Sequence, residues 1–500
     1  MPFQRPFLSR ATPYLALTVS LMASGCAVGP NFIRPAAPEV SGYTASPVTV
    51  TVATPGVDAG NAQSFASGAD VTADWWTLFH SPALNDLIKQ SLESNHDLKA
   101  AQAALQVAHE TVLAQRGAFL PSVTAGFSAT RTKTSSSLAP TPSTNAIQYS
   151  LYTPEVSVAY SPDVFGLNRR TRESVQAQEQ AARYQAAATY LTLTSNVANA
   201  LIEAASLQSQ IEATHELIGI NNRMVDTLTY QVSKGYASPQ DLAAQQAQLA
   251  QLEATLPPLL NQLAQQHDLL AALTGRFPSQ APAENLDLSS LTLPEDLPLS
   301  LPSALVEQRP DILQAEANMR AANAQVGVAA ANRLPNIQLT GDAGNSALAL
   351  HDAFGPGVGF WDLGAAITAP IFDGGTLLHQ ERAAKANYVE VNEQYRSTVL
   401  TAFQNVADTL AALQHDAEGL NAASASETAA KTSLDILQQQ SRVGYAGNLA
   451  VLSAEQAYQQ ARISRIQAQA SRFADTVALY QALGGGWWHR ADLTGDKNAK

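Results

Sequence analysis

Two His-Glu pairs, His109-Glu110 and His215-Glu216, are the first residues here whose types could do chemistry. An imidazole beside a carboxylate can hold a metal or move a proton. A helical zinc-hydrolase site needs a second histidine four residues after the first, and those positions are Leu113 and Gly219. Asn95-His96-Asp97 could pose as a catalytic dyad, but it sits where a helix needs its cap. The chain has no phosphate-binding loop and no Gly-x-Ser-x-Gly elbow. Its single cysteine, Cys26, rules out an intramolecular disulfide framework and a four-cysteine metal site. No catalytic residue, cofactor site or metal site is therefore expected.

The chemistry that remains is at Cys26. Arg5 and Arg10 give a positive start, residues 14–22 form a short apolar stretch, and Ala23-Ser24-Gly25 lead into the cysteine. This pattern reads as a secretory signal, residues 1–25, too short to span a bilayer stably. The small residues before Cys26 resemble a bacterial lipoprotein processing site. That likeness implies a diacylglyceryl thioether at Cys26, which becomes the new N-terminus. Ala27 in place of an aspartate resembles outer-membrane rather than inner-membrane sorting. An ordinary signal cleaved near Ala23 is the alternative.

The elements that position the rest are duplicated. Trp75-Trp76-Thr77-Leu78-Phe79 precedes a helix begun by Pro82, with Leu84, Leu87, Ile88 and Leu92 on one face. A second helix, capped by Ser94 or Asn95, runs to Pro121. Beyond it Val123, Ala125, Phe127 and Ala129 alternate with Thr124, Gly126, Ser128 and Thr130, the period of a strand. Asp97 to Pro121 and Asp311 to Pro335 span the same 24 residues, at an offset of 214. Gly235-Tyr236-Ala237 returns as Gly444-Tyr445-Ala446 at an offset of 209. Two copies are too few for a solenoid, so the chain is a tandem duplication. The expected organisation is an irregular lead-in over 26–74, a first repeat over 75–274 with its β-hairpin at 121–162, and a linker over 275–302. A second repeat follows over 303–483 with its hairpin at 336–370, then a flexible tail over 484–500.

Each hairpin feeds a long helix, 169–231 and 377–440. The first carries a four-three stripe through Ala177, Ala181, Tyr184, Ala188, Leu191, Ser195, Ala198, Ile202 and Ala205. Val399, Phe403, Val406 and Leu410 mark a face of the second. Sixty residues make about 90 Å of helix, and the small seam residues permit coiled-coil approach. The surface is too polar for a membrane-spanning helix. The strands, of about ten residues with one apolar face, fit a membrane barrel. Four strands would need other chains to close it. The links 132–146 and 346–355 are expected outside the cell. The long helices reverse at Lys234, Gly235, Tyr236, Ala237 and Ser238, and at Arg442, Val443, Gly444, Tyr445 and Ala446. The returning helices are expected over 240–273, broken at Pro257-Pro258, and over 449–483. With 46% hydrophobic residues, 7% aromatics, a net charge of −13 and no basic patch, nucleic acid is excluded as a partner.

Taken in order, these residues resemble the outer membrane efflux protein family, the TolC-like channels, in its lipoprotein branch. The matching stretches are Cys26-Ala27-Val28-Gly29-Pro30, Trp75-Trp76 with Phe79 and Pro82, Arg309-Pro310-Asp311, the Gly444 tip and Gly484-Gly485-Gly486-Trp487. The resemblance implies a mainly α fold with a transmembrane β-barrel portion. Three chains would close a 12-stranded barrel that continues into a 12-helix periplasmic tunnel. It implies a homotrimer in outer-membrane lipid, serving a periplasmic adaptor and an inner-membrane pump of the resistance-nodulation-division type. A belt would form from 28–74, 275–302 and 484–500. The two tips would contact the adaptor. A periplasmic gate would lie at Asn448, Leu449 and Ser453; Leu449 matches the hydrophobic position, whereas the sites where relatives place acids are Ala450 and Ser453. A duct for type I protein secretion, and a lipid-anchored coiled-coil adaptor or scaffold, are the competing readings.

Overall fold

The computed structural model describes residues 27–135, 148–280 and 287–494. The first repeat comprises α1 (Pro82–Ser94), α2 (His96–Gly117), β2 (Ser122–Lys133), β3 (Gln148–Tyr160), α3 (Leu167–Ser233) and α4 (Pro239–Leu273), preceded by a short β1 (Ser64–Ser67). After β4 (Asp296–Leu299) come α5 (Pro302–Gln308), α6 (Pro310–Ala331), β5 (Asn336–Asn345), β6 (Gly359–Thr368), α7 (Thr376–Arg442) and α8 (Asn448–Ala482), then a last turn, α9 (Ala491–Thr494). The duplication is metric: α2 and α6 have 22 residues each, α3 and α7 have 67, and α4 and α8 have 35. The chain forms two compact units. One holds residues 27–34, 106–181 and 315–395; the other holds 35–105, 182–314 and 396–494.

The first unit contains a four-stranded antiparallel sheet in the order β2-β3-β5-β6. Its register puts Val123 opposite Val158, Ala343 opposite Val156 and Trp361, and Leu363 opposite Gly341, so apolar side chains share one face. The central β3–β5 pairing joins the two repeats.

The second unit is mainly helical, with an aromatic centre. Trp75 stacks on Tyr480 with ring centres 5.2 Å apart, and Phe79 packs near Phe473. Such pairs contribute about 0.5–1.5 kcal/mol each beyond the area they bury. The four-three stripe of α3 faces inward as its spacing predicts: Leu191, Ser195, Ala198, Ile202 and Ala205 are buried. Val399, Val406 and Leu410 of α7 are buried too. Asn95 caps α2 by accepting from the Leu98 N–H at 3.0 Å.

Four expectations need correction. The lead-in over 26–74 and the linker over 275–302 are not wholly irregular, because β1 pairs in parallel with β4. The helix over 240–273 is not broken: α4 runs through Pro257 and Pro258. Both prolines are exposed, as are Glu253 and Ala254, whose carbonyls lose their partners, so water can serve those carbonyls. The tail is no flexible stop over 484–494: Trp487 is buried and donates through Nε1 to the Gln308 carbonyl at 2.7 Å. The glycines before it all have positive φ, and a Cβ on Gly486 would lie 2.4 Å from the Thr72 oxygen.

One buried cation helps to seat the strap over residues 49–63, beside bonds that join Gln63 to Pro294, Asn61 to Glu295 and Asn421 to Ala53. Arg472 of α8 donates to the carbonyls of Ala59 and Asn61, to Thr51 Oγ1 and to Gln63 Oε1. Gln63 also donates to Thr476 Oγ1 at 3.0 Å. Arg472→Met keeps the bulk and strands those acceptors, at about 3 kcal/mol. The variant is expected to unfold at lower urea and to become protease-sensitive within 49–63. An unchanged midpoint with a protected strap would show that the strap is held elsewhere.

Candidate channel surfaces: the sheet face and the helix tips

The apolar face of the sheet is uncovered in the single chain. Phe127 is 54% exposed, Trp361 75% and Leu363 78%. The opposite face carries Thr124, Ser128, Glu155, Asp342 and Asp362 by the same alternation. A sheet with one bare apolar face and one polar face can separate lipid from water. β2 and β6 each pair on one side only, leaving two open edges. Among the described residues no helix is long and apolar enough to cross a membrane.

The helix tips are built alike. At the first, the Gly235 N–H donates to the Val232 carbonyl at 3.0 Å and the Tyr236 N–H to Gln231 at 2.8 Å. At the second, Gly444 donates to Ser441 at 3.1 Å and Tyr445 to Gln440 at 2.9 Å. Both are left-handed glycine caps that satisfy the last carbonyls, with φ of +78° and +85°. Ser238 then caps α4 through a capping box with Asp241, whereas Gly447 begins α8 with no side-chain bond. Tyr236 and Tyr445 stand 82% and 87% exposed, and Lys234 lies over the Tyr230 ring.

Behind the tips the helices interlock. Leu434, Val451 and Ala454 are buried together, with Met224 of α3 packed against them. Gln245 of α4 donates to Asn221 of α3 at 2.7 Å, and Gln456 of α8 donates to Gln248 of α4. At the expected gate, Leu449, Ala450 and Ser453 are exposed while Val451, Leu452 and Ala454 are buried, so the first three share the free face of α8. Asn448 begins the helix, and its side chain lies outside the described residues. Cys26 also lies outside them.

One residue that sequence reasoning missed is Glu455, buried on α8 among these apolar neighbours, with neither carboxyl oxygen hydrogen-bonded. The signal was there: Glu455 lies four residues after Val451 and three before Tyr458, on the packed stripe. Burial pushes its carboxyl from an ordinary 4.5 up to about 7. The folded state therefore holds this proton more tightly than the unfolded chain does. The stability involved is complete below about pH 4.5 and falls, by on the order of 3 kcal/mol, as the pH rises to about 7. Glu455→Gln is expected to flatten that slope in thermal unfolding between pH 5 and 8; an identical slope in the variant would count against it.

The candidate catalytic residues are put to other uses. His109 contacts Glu179 at 2.8 Å, and Glu216 takes an ion pair from Arg462. Among the described residues no cluster of His, Cys, Asp or Glu could hold a metal ion.

The family model for outer membrane efflux proteins matches residues 87–276 and 301–485. The chain belongs to the outer membrane efflux protein family. Its members are channels, so this chain is an efflux protein of the outer membrane and not an enzyme. The toluene efflux pump outer membrane protein TtgC of Pseudomonas putida is 30% identical over 496 residues, 97% of this chain and 96% of that protein. OprJ of Pseudomonas aeruginosa, an outer membrane protein, is 27% identical over 94% of this chain and 95% of its own. Among solved structures, the outer-membrane channel OprN superposes with a TM-score of 0.82 at 25% identity, covering 92% of this chain and all of that one. VceC of Vibrio cholerae superposes at 0.77 with 28% identity, covering 84% of this chain and all of the other.

Proposed function

We propose that three copies of this chain form the exit duct of a tripartite efflux pump. The observation that carries the reading is the sheet with one uncovered apolar face and two open edges. Lipid tolerates no open edge, and three four-stranded sheets joined edge to edge make a barrel of 12. Helices of 67 residues reach about 100 Å, long enough to carry a tunnel deep into the periplasm. An inner-membrane pump, of the resistance-nodulation-division type, loads the duct through a periplasmic adaptor seated on the tips at Gly235 and Gly444. The cargo is small molecules, in keeping with a relative named as a toluene efflux pump protein. Cys26 carries a lipid that tethers the mature N-terminus, and the link 346–355 faces outward; residues 136–146 of the other expected outer link, 132–146, lie outside the described residues.

One preparation tests this. The protein is expected in outer-membrane fractions as a heat-resistant trimer that conducts in a planar bilayer. A tag within 346–355 is expected to label on intact cells, and mass spectrometry is expected to find an acylated Cys26 at the mature N-terminus. Recovery as a soluble periplasmic protein would overturn the duct. Labelling only after permeabilisation would reverse its topology, and an unmodified Cys26 would remove the tether.

A further inference from the structure

Just behind the two tips, α3 and α7 leave a cleft of about 530 Å³ between them, lined also by Val451 of α8. Arg223 lines it from α3 and Arg442 from α7. Gln231, Gln438 and Ser441 add polar groups to the wall, and Met224 belongs to its apolar floor. Several other arginines are paired: Arg462 with Glu216, Arg465 with Glu427, Arg333 with Glu381. Among the described residues Arg223 and Arg442 make no ion pair, although Asp226 lies one turn along from Arg223. Two arginines thus line one cleft in a chain whose net charge is −13.

We propose that this cleft receives an acidic side chain from the helical end of the periplasmic adaptor. The proposal rests on the assignment of the tips to that adaptor and deepens it. Guanidinium groups bind carboxylates in a planar, two-point geometry that an ammonium cannot offer. Arginines at the rim of an apolar floor are the composition of an interface anchor, in which the floor takes the aliphatic part of the incoming side chain. A helix laid along the groove between α3 and α7 would reach the cleft within one turn of Gly235 and Gly444, since Gln231 and Arg442 line it. A carboxylate held by both arginines would bridge the two repeats and fix the spacing of their hairpins. An acidic partner is also repelled by the rest of so negative a surface, so the charge pattern directs it to this one place.

The test is a chromosomal Arg223→Glu/Arg442→Glu replacement in the native cell. It is scored by resistance to whichever compound the channel deletion most sensitises the cell to, with heat-resistant trimer measured alongside. Resistance is expected to fall to that of the deletion at normal trimer level. Suppressors are expected in the adaptor gene, replacing Asp or Glu by Lys or Arg. If the double reversal lowers the trimer, Arg223→Gln/Arg442→Gln gives the reading, with a fall of about tenfold in adaptor affinity per arginine. Full resistance, or suppressors that reverse no acidic residue of the adaptor, would overturn the proposal. Gly444→Asp in parallel separates the two claims. If it abolishes efflux while the arginine variants do not, the cleft assignment fails and the tip assignment stands. If it too is harmless, the tip assignment fails.

Discussion

Cells carrying Gly444→Asp or Gly235→Asp are expected to lose efflux as completely as cells without the channel, while the trimer stays at its normal level. Both glycines hold left-handed backbone, and a Cβ at either would meet no atom within 4 Å. The change therefore adds no clash. Its conformational cost is roughly 1–2 kcal/mol, and aspartate bears that conformation better than most residues. Against helices of 67 and 35 residues packed along their length, this is a local loss. The adaptor meets something different: a negative charge in a turn whose own charged side chains, Lys234 and Arg442, are positive. Gly444→Ala is expected to do far less. Unchanged resistance in both aspartate variants would refute tip docking.

Leu449→Ala is expected to raise the resting conductance of the purified trimer severalfold, and the wild type is expected to show little block by divalent ions. Leu449 is 73% exposed in the single chain, whereas its neighbour Val451 is buried. Three copies on a threefold axis would bring three such side chains together, and an apolar constriction excludes water and ions. Ala450 and Ser453 share that exposed face and carry no charge, so the ring has no carboxylates to bind a cation. The turn that carries Leu449 also lacks the side-chain cap that secures α4, which makes it the easier of the two hairpins to spread. Strong divalent block, or a Leu449→Ala channel as closed as wild type, would move the gate elsewhere.

The parts legible in the sequence are those fixed by local periodicity. The stripe along α3, the alternation in the strands and the glycine turns each follow from residues within a few positions of one another. Ser238 and Pro239 mark the start of α4 for the same reason. What stayed hidden depends on distant partners. β1 and β4 are four residues each, with no alternation to announce them, and the Ser64–Asp296 pairing spans 232 residues. Pro257 and Pro258 read as a break because local rules count lost hydrogen bonds; the fold leaves the affected turn in water, where the loss is small. Arg223 looks like any solvated arginine on a long helix until α7 brings Arg442 to the same cleft.

The strap held by Arg472 also imposes an order of events on biosynthesis. Arg472 grips carbonyls 413 and 411 residues earlier in the chain. At a ribosomal rate of about 5–20 residues per second, roughly 20–80 s pass between the emergence of Ala59 and that of its anchor. β1 can settle once β4 exists, and Gln63 and Asn61 can then bond Pro294 and Glu295, but the Ala59 carbonyl waits for Arg472 of α8. Through that interval the stretch is open to chaperones and proteases. A chain cut short before residue 472 would leave the Ala59 turn without its anchor, a ready mark by which quality control could recognise an unfinished chain.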